Sequence, residues 1–173
     1  GLMLFAEGVE RFIPPMKGRQ HVLRLVREVL GHPSAARRTN LSAAMEYLGR
    51  VVRRRAVIFV VSDFLDQGYE RNLAALAGRH DIIAVRTVDR RESVWPGAGL
   101  VTIEDAETSD LAVVDMASRR VRAAFERRAA EEDQRLESVL RSLKIDRLTI
   151  ETGADYVQQL QALFRMRHKK MYR

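Results

Sequence analysis

Apolar residues recur along this chain with two periods, and the alternation between them lays out a set of strands and helices. Leu2-Met3-Leu4-Phe5 reads as a short buried strand, and Val9 to Ile13 as a second one, closed by Pro14-Pro15. After Lys17-Gly18-Arg19 the spacing widens. Val22, Leu25, Val26, Val29 and Leu30 fall three and four apart and predict a helix with one apolar stripe, stopped by Gly31, His32 and Pro33. Residues 34–38 (SAARR) read as a loop. A second helix begins at Thr39-Asn40 and carries Leu41, Ala44, Met45, Leu48 and Val52 on one face.

The run Ala56–Val61 is uninterrupted by polar residues, the signature of a strand buried on both faces. A helix from about Tyr69 to Ala77 and a strand Asp81–Arg86 follow it. Strand, helix of about ten residues and strand make a βαβ unit, which requires parallel pairing. Trp95–Gly99 is a turn-rich loop, and Leu100–Glu104 with Leu111–Val114 are expected to pair as a hairpin around Asp105–Asp110. A long helix from about Ser118 to Leu143 turns Val121, Phe125, Leu136, Val139, Leu140 and Leu143 inward and RRAAEEDQR to solvent. A strand Ile145–Ile150 and a helix starting near Ala154, with Val157, Leu160, Leu163 and Phe164 inward, end the pattern. The sum is α/β: three layers, with an open, mostly parallel sheet flanked by helices.

Composition adds bounds. With 173 residues and 46% apolar content the chain suits one globular domain spanning 1–173. Thirty Lys and Arg against 23 Asp and Glu give a net charge of +7, a balance compatible with nucleic acid, an anionic surface or an acidic protein partner. Cysteine is absent, which excludes disulfides, thiolate metal sites and a cysteine nucleophile, and suits a reducing, cytoplasmic setting. No apolar run approaches a membrane span.

Much familiar chemistry is missing. No GxxxxGK[ST], GxGxxG or GxSxG occurs. His21, His32, His80 and His168 match no zinc spacing and are expected at the surface or at element edges. In open parallel sheets, ligands gather beyond the carboxyl ends of the strands. Asp63, beside Ser62, stands at such an end, and Thr39, beside Asn40, opens the preceding helix. A carboxylate and a hydroxyl are hard-oxygen donors suited to Mg²⁺ or Ca²⁺. The same residues also suit ordinary helix and turn capping.

The segments LMLFAEGVERFIPPMKGRQHVLRLVREVL, TNLSAAMEYL and RRRAVIFVVSDFLD resemble the bacterial domain-of-unknown-function family 58, as do GLVTIEDAETSDLAVVD and the helices after it. This von Willebrand factor A-like group is commonly encoded beside MoxR-type AAA+ ATPases. The resemblance implies a Rossmann-like fold with a metal-ion-dependent adhesion site built from a DxSxS loop, a threonine and an aspartate. Thr39 matches that threonine and Asp63 that aspartate, with Ser62 and Asn40 nearby. No DxSxS occurs in the 173 residues, and LMLF corresponds to the family's second strand.

The chain is therefore expected to be an N-terminally truncated, partial domain whose site is incomplete, binding Mg²⁺ or Ca²⁺ in the intact protein and no ion by itself. LMLF is expected to pair directly with AVIFVV, or a second copy of the chain to fill the gap as a homodimer. The function implied is a non-enzymatic interaction module for a MoxR-type ATPase or its client in complex assembly or cofactor insertion. A metal-dependent hydrolase or phosphotransfer enzyme using Asp63 is the alternative; Asp66 is its faint second acid and Lys17 its faint phosphate grip. A nucleic-acid binder resting on Arg53–Arg55 and RHKK is a third, but no aromatic residues interleave those clusters, so no nucleic acid is expected.

Overall fold

In the structure, a computed structural model, residues 1–33, 38–89, 99–104 and 111–171 are described. Most of the expected SAARR loop, most of the Trp95–Gly99 loop, the Asp105–Asp110 turn and the last two residues of the basic tail lie outside them. The strands are β1 (Leu2–Phe5), β2 (Val9–Ile13), β3 (Val57–Ser62), β4 (Asp81–Val88), β5 (Leu100–Glu104), β6 (Leu111–Asp115) and β7 (Asp146–Glu151). The helices are α1 (Arg19–Gly31), α2 (Leu41–Val51), α3 (Glu70–Ala77), α4 (Arg119–Ser142) and α5 (Val157–Met171). Each strand and helix read from the apolar periods has a counterpart, with ends shifted by a few residues. The chain resolves into two compact units.

The first unit contains residues 1–54, 66–76 and 104–112. β1 and β2 pair antiparallel from Leu2 opposite Ile13 to Phe5 opposite Val9, with a register shift between Leu4 and Phe5. Ile13, Leu41, Ala44, Met45, Tyr69, Leu73 and Leu76 are buried. The Phe12 ring meets Tyr47 edge-on at 5.8 Å, joining β2 to α2.

α1 turns most of its apolar stripe to solvent: Val22, Val26, Val29 and Leu30 are 49–83% exposed, while Leu25 is half-buried and His21, one turn before it, is buried. Side-chain contacts to β2 accompany this orientation. Glu28 reaches Arg11, and His32 lies 2.8 Å from Glu10, so β2 holds the helix by its polar flank. His21 and His80 stand at element ends as expected, in the first turn of α1 and just before β4, but neither is at the surface: both are buried.

The second unit contains residues 55–65, 77–103 and 113–173. β3, β4 and β7 form a parallel sheet in that order, with Val57–Ser62 opposite Asp81–Arg86 and Ile83–Val88 opposite Asp146–Glu151. Residues on alternate sides of a strand face different layers. Ile83, Val85 and Leu148 pack with Leu163 of α5. On the other face Arg86 and Arg147 both hydrogen-bond Asp133 of α4, although Asp133 belongs to the expected solvent face of that helix. This small sheet is thus flanked by helices on both sides. β5 and β6 are hydrogen-bonded neighbours in a separate two-stranded sheet, the pairing expected of them.

Two expectations about the sheet are corrected. LMLF does not pair with AVIFVV: β1 pairs with β2, β3 pairs with β4, and the sheet is not closed. Nor is β3 buried on both faces, because Val57, Phe59 and Val61 are 55%, 42% and 55% exposed. β3 is a terminal strand of its sheet, and α5 covers mainly β4 and β7. On α5 itself Leu163 is buried, whereas Val157 and Phe164, expected inward, are about half exposed.

His80, just before β4, is 3% exposed, and neither ring nitrogen has a hydrogen-bond partner among the described residues. Burial first, then the charge of Arg79, hold the ring below its ordinary 6.5. The neutral ring is the form the fold prefers, so the unfolded chain binds the proton more readily. Stability is then fully present above the unfolded value and is lost as pH falls through it. Denaturation midpoints are expected to drop between about pH 7 and pH 5, and a His80→Leu variant to flatten that slope. An unchanged slope would show that His80 opens to water without cost.

Candidate functional site

The structure places the sequence-derived candidates in two settings. Thr39 and Asn40 belong to the first unit, Ser62 and Asp63 to the second.

In the first unit Asn40 is the N-cap of α2. Its side-chain oxygen accepts the Ala43 N–H at 2.8 Å, and its own N–H donates to the Ala6 carbonyl at 2.8 Å. The capping reading, open at the sequence level between Thr39 and Asn40, is met by Asn40. Thr39 is exposed. A second group helps hold the same helix end: the Asp66 carboxylate accepts the Leu41 N–H at 2.7 Å. The first N–H groups of a helix lack intrahelical acceptors and its N-terminus is electropositive, so a carboxylate is well placed there. Asn72 of α3 adds hydrogen bonds to the Ser42 carbonyl and hydroxyl. Asp66, the faint second acid of the hydrolase reading, is thus committed to the backbone. The 25-residue separation from Leu41 leaves no local signal from which this contact could be read.

In the second unit Ser62 and Asp63 close β3 with a tight turn. The Phe64 N–H donates to Ser62 Oγ at 3.1 Å, and the Leu65 N–H donates to Asp63 Oδ1 at 3.2 Å. Ser62 Oγ lies 3.3 Å from that same Oδ1 and donates to it. Phe64 sits at φ 61°, left-handed backbone that a side-chain-bearing residue adopts at a cost of about 1–2 kcal/mol. Its side chain is buried, which anchors the turn and fixes the direction in which Asp63 leaves the strand. Asp63 is itself exposed. The result is an oriented carboxylate at the carboxyl end of a parallel strand.

The donor set for a hard cation is short. Mg²⁺ and Ca²⁺ take six or more oxygens at fixed distances, and within the second unit Asp63 and Ser62 offer one carboxylate and one hydroxyl already used in the turn. Among the described residues no cluster of three or more His, Cys, Asp or Glu is arranged to hold a metal. These residues do not by themselves complete the adhesion site that the resemblance implies. None of the described helices is long and apolar enough to cross a membrane.

Comparison with known proteins gives relatives of unassigned role. An uncharacterized protein of Mycobacterium avium is 29% identical over 160 residues, covering 91% of this chain and 94% of its own length. Uncharacterized proteins of Mycobacterium tuberculosis and Mycobacterium bovis are each 29% identical over 151 residues, 86% of this chain. The chain spans about half of their length, 47%. No solved structure matches. The profile of one family, Protein of unknown function DUF58, matches residues 1–135, and the chain belongs to that family.

Proposed function

We propose that this chain is a non-enzymatic protein-interaction module that presents Asp63 to a partner, a MoxR-type AAA+ ATPase or the client that such an ATPase remodels. The observation that carries this reading is the Ser62–Leu65 turn: an exposed carboxylate, pinned by backbone donors, at the ligand-facing end of a parallel sheet. A group held this way loses little conformational freedom on binding. A catalytic carboxylate needs a base, acid or phosphate grip beside it, and Asp66 is engaged at the α2 N-terminus instead.

The ATPase as partner follows from the resemblance to MoxR-associated proteins. Mg²⁺ or Ca²⁺ enters this reading only where further oxygen donors join Asp63 and Ser62, and direct contact with a basic side chain serves the same carboxylate.

The test is binding of the chain to a MoxR-type ATPase, with and without chelator, using wild type and Asp63→Asn. Asparagine keeps the oxygen that accepts the Leu65 N–H and removes the charge. Loss of about tenfold or more in affinity, roughly 1.4 kcal/mol, is expected. Equal binding by both proteins would overturn the role of Asp63. Turnover of a phosphomonoester that disappears in Asp63→Asn would overturn the non-enzymatic reading. The chelator arm reads whether an ion takes part.

A further inference from the structure

β7 ends the parallel sheet on the side away from β3 and is hydrogen-bonded to β4 alone among the described residues. An upstream strand of the kind the resemblance implies would adjoin β3, so it leaves this edge as it is. The direction of the backbone groups along β7 follows from one hydrogen bond. Just past the strand the Thr152 N–H donates to the Val88 carbonyl at 3.0 Å and so points at β4. Backbone groups of a strand point alternately to its two sides, so Ile150 and Leu148 also face β4, while Thr149 and Arg147 direct N–H and C=O outward. Neither of these two has an outward backbone partner among the described residues. Beside this edge runs a groove between β7 and the end of α4, lined by buried Leu140 and Ile145 and by Arg141, Lys144, Arg147 and Thr149. No β4 residue lines it, which sets it on the open side of β7.

The charges in the groove are unevenly matched. Its two acids are committed, Glu137 to Arg147 at 3.4 Å and Asp146 to Arg167 at 2.6 Å, and Arg147 also holds Asp133. Arg141 and Lys144 are exposed, and their side chains have no partner among the described residues. Lys144 stands at φ 55°, the left-handed position after a helix that favours glycine, so a base occupies a place that backbone conformation selects against. We propose that β7 takes up an extended acidic peptide segment of a partner protein as the fourth strand of this sheet. The backbone of that segment bonds Arg147 and Thr149, and a carboxylate at the end nearest Ile145 meets Arg141 and Lys144. A peptide supplies donors and acceptors in the alternation the edge needs. A phosphate or nucleic-acid backbone supplies acceptors alone and leaves the outward carbonyls unpaired. Charge along the edge bars an indiscriminate apolar strand, which makes the acidic side chains the source of selectivity.

This inference does not rest on the reading of Asp63, which follows β3, two strands away, and Asp63→Asn is expected to leave it unchanged. The probe is a fluorescent, end-blocked peptide of alternating valine and threonine with two glutamates at one end, read by anisotropy. It is expected to bind with a dissociation constant below about 1 mM, and a twin with two lysines in their place about tenfold more weakly. Arg141→Gln combined with Lys144→Gly is expected to weaken the acidic peptide by about tenfold. Glycine suits the backbone at Lys144, so a thermal midpoint no lower than wild type shows that the loss reads charge and not folding. In amide hydrogen exchange the bound acidic peptide is expected to protect Arg147 and Thr149 and to leave Leu148 as it was. Absence of binding, equal binding of the acidic and basic peptides, unaltered affinity in the double variant, or protection elsewhere would each overturn the proposal. Displacement of the probe by a single-stranded oligonucleotide at lower concentration than by unlabelled peptide would overturn it in favour of nucleic acid.

Discussion

Replacing Ile83 with alanine is expected to lower the unfolding free energy by about 3–4 kcal/mol, within the range for buried isoleucine truncation. The measurement is the urea midpoint at constant slope. β4 is the middle strand of the parallel sheet, paired to β3 on one edge and β7 on the other, and Ile83 is 0% exposed among Val85, Leu148 and Leu163. With both strand edges committed to hydrogen bonds, the backbone cannot move inward to refill the space left by the lost carbons. The cost therefore includes a cavity as well as lost transfer energy. Val57→Ala is the control. It removes a side chain 55% exposed, and its expected cost is below about 1 kcal/mol. Similar losses at both positions would mean that the face packed by α5 is not where the sheet's stability resides.

Arg167→Ala is expected to cost about 2–3 kcal/mol, below the 3–5 seen when a fully buried pair is broken, because Asp81 keeps 39% of its side chain in solvent. Arg167 on α5 forks onto Asp81 at 2.6 and 3.0 Å and reaches Asp146 at 2.6 Å. Those two carboxylates open neighbouring parallel strands. Removing the guanidinium leaves like charges at adjacent strand ends and releases the C-terminal part of the helix that covers Leu148. Arg167→Lys keeps the charge without the fork and is expected to recover only part of the loss. Concentrated salt should narrow the gap between wild type and Arg167→Ala by screening the repulsion between the two aspartates. A loss below about 0.5 kcal/mol would class the cluster with exposed surface pairs, which contribute little.

The positions of strands and helices were legible because burial against a neighbour imposes a period, and periods survive in a linear string. The parallel pairing of β3 with β4 was legible for a related reason: a helix between two apolar strands leaves no short antiparallel route. Which side of each element would be covered was not. α1 carries most of its apolar stripe outward while Glu28 and His32 on its polar flank meet Arg11 and Glu10, contacts spanning 17 to 22 positions that no local pattern encodes. β3 has the composition of a two-sided buried strand, yet its place at the end of the sheet leaves one face open.

At the candidate site, Asp63 was legible as an acid at the end of an apolar run, and Asn40 as a helix-start residue. The turn that aims Asp63 depends on the left-handed backbone of Phe64 and its buried side chain, which no turn-forming glycine or asparagine announces. Asp66 resembled a second catalytic acid only until its oxygen was found on the Leu41 N–H.

By itself, then, the sequence determined the periodic elements, the parallel βαβ unit and an acid at a strand end, since each depends on residues within a few positions of one another. The tertiary structure decided which faces are covered and which carboxylates are spent on helix ends. Those outcomes rest on contacts between residues far apart in the chain, which no local pattern carries.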